Sequence, residues 1–415
     1  MKRLSHQNHP HISGLMTEAA RQDAVSLSLR VVDDIYAIDL DSWDRLAEND
    51  ANLADAVRGP SNPFLSHAFL SSLEDSGCVG ERTGWIPQHL ILEDNQGVIR
   101  GIAPAYAKTH SQGEYVFDYG WADAFQRAGG RYYPKLQLSV PFTPAGGPRL
   151  LVGHGENANI FRAGLIQGIE AYCDQTNVSS AHATFLREED RTAMENADWL
   201  HRTDQQFHFY NRGFSTYQDF LDTLASRKRK DLRKERAKAV ENDIEIVWLT
   251  GADLTEDAWD GFYRFYMDTG SRKWGRPYLN RRFFSLVTER MADRTLLVMA
   301  KREGRYIAGA LNFIGADRLY GRNWGCIEDH PFLHFEVCYH QAIDFAIERG
   351  LTVVEAGAQG QHKLARGYEP VTTHSAHFIR HSGLRAAIAD YLEAERDEVE
   401  HMNELLGGHT PFRKG

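Results

Sequence analysis

The sequence predicts an α/β (α+β) protein built from two successive copies of one unit, each a mixed twisted sheet flanked by helices. Three observations carry this. The chain has 415 residues, more than one ordinary core organises and suited to two domains of roughly 150–200 residues each. A strand–turn–strand pattern occurs once in each half. Each such hairpin is preceded by a helical stretch and followed by a helix and then a strand.

The elements follow in order. A helical stretch from His67 to Asp75 leads into HLILEDNQGVIRGIAPAYAK, His89 to Lys108, whose turn is Asp94-Asn95-Gln96-Gly97. Asn and Gly tolerate the positive φ such turns need. In the second half, Arg281 to Met291 leads into TLLVMAKREGRYIAGALNFIG, Thr295 to Gly315, turning at Arg302-Glu303-Gly304. Gly101 and Gly309 stand early in the two second strands, which predicts a bulge or a close backbone approach at both. The first following helix is Asn159 to Gln175, then the strand AHATFL; the second is His334 to Gly350, then LTVVEAG. Phe335, Cys338, Ala342, Phe345 and Ala346 recur at helical spacing, and Gly350 is placed to end the helix. The first copy is longer between hairpin and helix, which places an insertion at Phe117 to Leu151. Between the copies, SRKRKDLRKERAKA reads as a basic helix and Ile244 to Leu249 as a strand. The C-terminal GLRAAIADYLEAERDEVEHMNELL reads as one long amphipathic helix. The expected division is a flexible tail over 1–24, a first domain over 25–213, a second over 214–383 that includes the basic helix 226–240, and a terminal helix and tail over 384–415.

Composition bounds the function. Hydrophobic residues are 42% and charged residues 25%, the balance of a folded globular chain. A net charge of −10 and a pI near 6.0 argue against a protein that coats DNA. Cys78, Cys173, Cys326 and Cys338 form no CxxC pair or zinc spacing, so buried apolar thiols in a reducing compartment are expected. No secretory h-region and no membrane-length apolar run occurs. The expected location is the cytoplasm. His6, His9 and His11 read as tail residues rather than metal ligands.

Seven strings then point to a family. They are NPFLSHAFLSSLEDSG (Asn62 to Gly77), YYPKLQLSVPFTPAGGPRLL (Tyr132 to Leu151), SRKRKDLRKERAKA, KWGRPYL (Lys273 to Leu279), LYGRNWG (Leu319 to Gly325), LHFEVCYHQAIDFAI and EAGAQGQHKLARGYEP (Glu355 to Pro370). Together, and in this order, they resemble the FemAB-like family of peptidoglycan biosynthesis or recognition. The repeated unit resembles the GNAT acyltransferase fold, so the resemblance implies two tandem GNAT-like domains. It also implies a distant relation to enzymes that add amino acids from aminoacyl-tRNA to a peptidoglycan precursor.

The strongest candidate site is the stretch Val354 to Tyr368. Small residues after a strand let a ligand approach the backbone and leave amides for an oxyanion. Glu355 or His362 would be the base, with Gly357, Gln359, Gly360, Lys363, Arg366 and Tyr368 around the substrate. In the GNAT-like fold the helix bearing Glu336 would begin at the acceptor cleft, making Glu336 a third catalytic candidate; HExxH is absent there, and no metal is expected. Period two would put Tyr320, Arg322 and Trp324 on one face, with Asn323 beside them, as the floor for a planar or anionic ligand. The loop with Lys273, Trp274 and Tyr278 offers aromatic contact. The inserted RAGGRYYPK offers Arg131, Tyr133 and Lys135, in a surface loop or at an acceptor's polar part.

GNAT enzymes that use acetyl-CoA carry a Q/RxxGxG/A loop before the helix. The second half has CIEDHPFLHF there, and Gly146-Gly147 is too sparse in the first. No tightly bound cofactor is therefore expected, and acyl-CoA or aminoacyl-tRNA stand as alternative acyl donors. A tRNA donor would use the basic run Arg227 to Arg236. The expected function is N-acyl or aminoacyl transfer to a cell-envelope precursor or a small amine or hydroxyl acceptor. The alternative is a recognition module with an inherited fold.

Overall fold

The structure, a computed structural model, describes residues 26–48, 60–273, 277–357, 360–408 and 410–413. The first half runs β1 (Leu27–Val32), α1 (Leu40–Ala47), α2 (His67–Asp75), β2 (Trp85–Pro87), β3 (His89–Asp94), β4 (Ile99–Ala103), β5 (Ala105–Lys108), α3 (Tyr119–Arg127), β6 (Lys135–Leu138), α4 (Ala158–Thr176), β7 (Ser180–Ala183), α5 (Glu188–Asn196) and β8 (Leu200–Tyr210). The second runs α6 (Tyr217–Thr223), α7 (Ser226–Ala239), β9 (Glu245–Leu249), α8 (Glu256–Lys273), α9 (Arg281–Met291), β10 (Thr295–Arg302), β11 (Arg305–Ile314) and β12 (Arg318–Cys326). Then α10 (Leu333–Phe335) passes through a π-turn (Glu336–His340) into α11 (Gln341–Glu348), followed by β13 (Val353–Glu355), β14 (Glu369–Ile379) and α12 (Ser382–Gly407).

The two halves share one pairing scheme. In the first, β1 pairs β3, β3 pairs β4 and β5 pairs β6, all antiparallel, and β6 pairs β7 in parallel. In the second, β9 pairs β10, β10 pairs β11 and β11 pairs β12, all antiparallel, and β12 pairs β13 in parallel. The predicted repeat is thus a repeat of topology. One difference is local: β11 is continuous, whereas its counterpart breaks at Pro104 into β4 and β5. Proline has no N–H for a ladder, so the sheet splits there. The glycine expectations hold in both hairpins. Arg100 and Ile307 are the extra residues of two bulges, one and two places before Gly101 and Gly309. A Cβ on Gly309 would lie 2.4 Å from Met299 Sδ.

The last strand of each unit is exchanged. β8 pairs β13 of the second half, β14 pairs β7 of the first, and β8 and β14 pair with each other over nine residues. The result is one 11-stranded sheet crossing both halves. A shared core joins them further: Phe64 packs edge-on to Phe313 and Tyr320, each with ring centroids 5.1 Å apart. The expected insertion at Phe117 to Leu151 needs correction, because β6 inside it is the counterpart of β12. The extra chain is α3 before β6 and the loop after it. Among the described residues, no helix is long and apolar enough to cross a membrane.

Candidate active site

In the second half the parallel pair β12–β13 holds only from Arg318–Val353 to Tyr320–Glu355. β12 then continues, while β13 ends and the chain turns away at Gly357, whose φ of 73° suits glycine. The parting leaves a cavity of about 100 Å³ lined by Arg322, Asn323, Trp324, His334, Cys338, Tyr339 and Glu355. A second cavity of about 230 Å³ is lined by Gln206, His208, Arg318, Tyr320, Glu355 and, from the first half, Asn62 and Gly147. Glu355 lines both. It is 4% exposed and accepts a hydrogen bond from Arg318 Nη1 at 2.9 Å. His208 sits opposite it in register on β8. Burial holds the His208 imidazole below its ordinary pKa against the pull of Glu355, so it is neutral near pH 7.

The exit loop is clamped rather than open. Ala356 N–H donates to Phe207 O at 3.1 Å and Phe207 N–H to Gly357 O at 3.3 Å, extending the β8 pairing past Glu355. Lys363 turns inward, its Nζ donating to Ala356 O at 2.6 Å and Gly357 O at 3.0 Å. Burial pushes its pKa down to about 8. Lys363, expected around the substrate, instead gives its hydrogen bonds to the loop's own carbonyls. Arg366 is likewise committed, forming a two-pronged pair with Glu235 of α7 at 2.8 and 2.7 Å. Tyr368 is fully buried and donates to Tyr339 O, so it is a core residue. His362 is exposed, and Tyr339 OH lies 3.1 Å from its Nε2. Burial, then Arg366 and Lys363, lower its pKa, leaving it neutral and able to take a proton.

Glu336 does not face a cleft. Its carboxylate is 3% exposed and takes two hydrogen bonds from Arg236, at 2.8 and 3.1 Å, and one from Gln341 at 2.7 Å. Arg236 also pairs with Asp344 at 2.6 Å. His340 donates to Glu235 at 2.8 Å and accepts from Tyr217 OH at 2.7 Å. The basic helix therefore turns Glu235 and Arg236 onto the helix beside the cavity. Of its other cations, Arg227, Lys228, Lys230, Arg233, Lys234 and Lys238 are exposed, and Arg229 is half-buried and paired with Asp222 at 2.6 Å.

The shared face expected for Tyr320, Arg322 and Trp324 is overturned by a bulge. Asn312 pairs Gly321 while Leu311 pairs Asn323, so Arg322 is an extra residue. Tyr320 joins the core shared by the two halves, and Trp324 packs on the opposite core. Arg322 instead reaches across to the first half, donating to Phe142 O between the rings of Phe64 and Tyr115. Tyr278 stacks on Phe142 with centroids 4.8 Å apart. Tyr119 lies close by; burial, then Tyr278, Glu114 and Tyr133, push its hydroxyl up to about 12. Tyr278 and Arg322, distant in sequence, thus meet at Phe142 on the seam between the halves, while the Tyr133 hydroxyl lies 2.8 Å from Ser111 Oγ. Beneath them Lys135 is fully buried on β6, paired with Glu114 at 2.7 Å and Asp118 at 2.5 Å. This corrects the expected surface loop for Lys135; Arg131 is exposed and Tyr133 is half-buried. The Lys273 side chain, Trp274, Gln359 and the histidines of the tail lie outside the described residues.

Several residues were missed. Gln206, His208 and Tyr210 alternate along one strand, a readable period-two signal of polar groups. Gly153 and Gly155, with φ of 63° and 140°, precede α4 beside a cavity of about 270 Å³ that Arg162 also lines. Arg149, four residues before Gly153, completed a near match to the GNAT loop in the first half. Cys338 and Cys326 are half-buried, not buried as expected, whereas Cys78 and Cys173 are.

A family model named FemAB-like, described as peptidoglycan biosynthesis/recognition, matches residues 34–414. Among solved structures, FemX superposes with a TM-score of 0.53 at 10% identity, covering 85% of this chain and 98% of its own. L-PGS from Bacillus licheniformis aligns at TM-score 0.47 and 11% identity, over 77% of this chain and 92% of its own. A tandem GNAT protein from the clavulanic acid biosynthesis pathway aligns at 0.46 and 10%, over 85% and 97%. At such identity the FemX likeness shows the fold alone. No curated protein matches the chain.

Proposed function

The chain belongs to the FemAB-like family, and from that premise we propose that it is an acyltransferase, moving an acyl or aminoacyl group onto an amine or hydroxyl of a cell-envelope precursor or small molecule. The observation that carries this is Glu355, a residue that lines both cavities where β12 and β13 part. Acyl transfer needs one group to meet two reactants, and Glu355 would take the acceptor's proton at the wall between them. His362, neutral and exposed, is the alternative base. Backbone amides near Gly357 and Gly360 would receive the oxyanion. The exposed cations of α7 suit a polyanionic donor such as aminoacyl-tRNA. Acyl-CoA is the other donor, supported by the Gly153–Gly155 turn of the first half.

A recognition module is a second reading, supported by the Arg318 hydrogen bond that already occupies Glu355. One assay separates the two. The protein is incubated with acyl-CoAs, charged tRNA and muramyl peptides, and products are weighed by mass spectrometry. A product whose mass equals acceptor plus acyl group supports the transferase. Stabilisation by an acceptor alone, with no product, supports the module and rejects the transferase.

A further inference from the structure

The larger cavity, about 230 Å³, holds a base that the preceding roles leave unused. His208 lines it and comes from β8, the strand exchanged between the halves. Its ring is oriented by its neighbours. Gln206, two residues earlier on the same face, donates through Nε2 to Pro144 O of the first half at 2.7 Å. A carbonyl only accepts, so the other amide atom, Oε1, is the one turned to His208 Nε2, at 3.4 Å. Facing an acceptor, Nε2 carries the ring proton and Nδ1 keeps the lone pair. Among the described residues nothing hydrogen-bonds to Nδ1, and it is not sealed in the core as Nε2 of His67 and of His377 are. The lone pair is thus left to what enters the cavity.

The charges around the ring suit a base. Glu355 on β13 and Glu369 on β14 are its Cα partners on either side, and directly paired residues share one face of a sheet. Glu369 is held by Arg212 at 2.7 Å, and Glu355 by Arg318 of β12 at 2.9 Å. Burial lowers the pKa of the ring against the pull of Glu355, and Arg318 and Lys363 lower it further. The resting ring is therefore neutral. Once it takes a proton, Glu355 is the opposite charge that stabilises the cation.

We propose that the larger cavity receives the acceptor as an ammonium ion, and that His208 Nδ1 removes its first proton and Glu355 its second. This rests on the acyltransferase reading and narrows the acceptor to an amine. A lysine-type ammonium, with a pKa of about 10.4, has two protons to lose at pH 7, whereas a hydroxyl has one. The first proton goes from nitrogen to Nδ1, and from the imidazolium to water. The freed lone pair attacks the carbonyl carbon of an ester or thioester donor. As the C–N bond forms and the donor's C–O or C–S bond breaks, Glu355 takes the second proton. It passes that proton to the departing oxygen or sulfur, which it can reach because it lines both cavities. The products are the amide, the donor's alcohol or thiol, and one proton in water.

The test begins with the intact wild-type chain. Nitrogen-15 NMR of the histidine rings, with His208 assigned through its backbone, reads which ring nitrogen carries the proton. The expected result at pH 7 is Nε2–H with a bare Nδ1, titrating below 6.5. Transfer from acyl-CoAs or charged tRNA to a muramyl peptide with a free lysine-type amine is then followed from pH 7 to 9, by product mass. With rates taken against total amine, wild-type kcat/KM should stay flat, because the enzyme itself removes the first proton. His208→Gln keeps a donor for Gln206 but has no base. Its kcat/KM should fall tenfold for each pH unit below the amine's pKa, since only the free amine then reacts, and reach about 10²-fold below wild type at pH 7. A proton on Nδ1, or a wild-type rate that itself falls tenfold per unit, overturns the proposal without any variant having to fold. Wild-type kcat/KM in His208→Gln overturns it and leaves the acyltransferase reading standing. No product from the wild type with any donor and acceptor removes that reading, and this proposal with it.

Discussion

Replacing Lys363 by methionine should uncouple stability from activity. The side chain is 3% exposed, and burial lowers its pKa from 10.5 to about 8. That difference is worth about 3 kcal/mol against the charged form. In the unfolded chain the amine keeps its proton up to 10.5; in the folded chain it releases it near 8. Between those values the unfolded state binds more protons, so stability rises with pH across this window and carries the full cost below it. From pH 7 to 9.5 the wild type should gain about 2 kcal/mol from this group. Methionine fills similar space without the charge but leaves Ala356 O without its Nζ donor, at about 1–3 kcal/mol. Gly357 O keeps Phe207 N–H. The variant should therefore be about as stable as wild type at pH 7 and lack the rise. Its exit loop, released from the clamp, should lose transfer activity by on the order of 10²-fold. Urea unfolding at pH 7, 8 and 9.5 decides this, with product formation measured alongside. A variant more than about 2 kcal/mol weaker at pH 7 that keeps the full pH rise would refute the reasoning.

Three further outcomes are expected. Glu355→Gln should lower acyl transfer by about 10²–10⁴-fold while circular dichroism stays unchanged; product mass yields give the rate, and full activity would remove Glu355 as base. Arg236→Met leaves the buried Glu336 without its two-pronged partner, which should cost about 3 kcal/mol in urea; a loss below ~1 kcal/mol would mean the pair contributes little. Replacing Arg227, Lys228, Lys230 and Lys234 by alanine should leave the melting temperature alone but flatten the salt dependence of charged-tRNA binding, by about 0.7 in log–log slope per lost phosphate contact. An unchanged slope would show that α7 is only a solvated face.

Much of the fold was readable because its causes are local. Helical spacing, Asn-Gly turn chemistry and the glycines of the two second strands reported hairpins, helices and bulges within a few residues of where they stand. The bulge at Arg322 escaped, since nothing in LYGRNWG marks the residue that pairing skips. Reading Lys135 as a loop residue failed for a similar reason, because its buried partners Glu114 and Asp118 precede it by a whole helix. The strand exchange of β8 and β14 left no trace in either strand's own pattern, as both look like ordinary closing strands of their units.

The sequence by itself determined the doubled unit, the family resemblance and the placement of Glu355 at a strand end before small residues. These rest on periodicity and on backbone preferences that each residue carries wherever it is. Only the tertiary structure decided that Glu355 separates two cavities, that Glu336, Lys363 and Arg366 serve the scaffold, and that Cys338 and His208 stand at the site. Those assignments depend on which charges and carbonyls meet when distant segments pack, because a buried ion is held in place by its partners and the sequence does not say who they are.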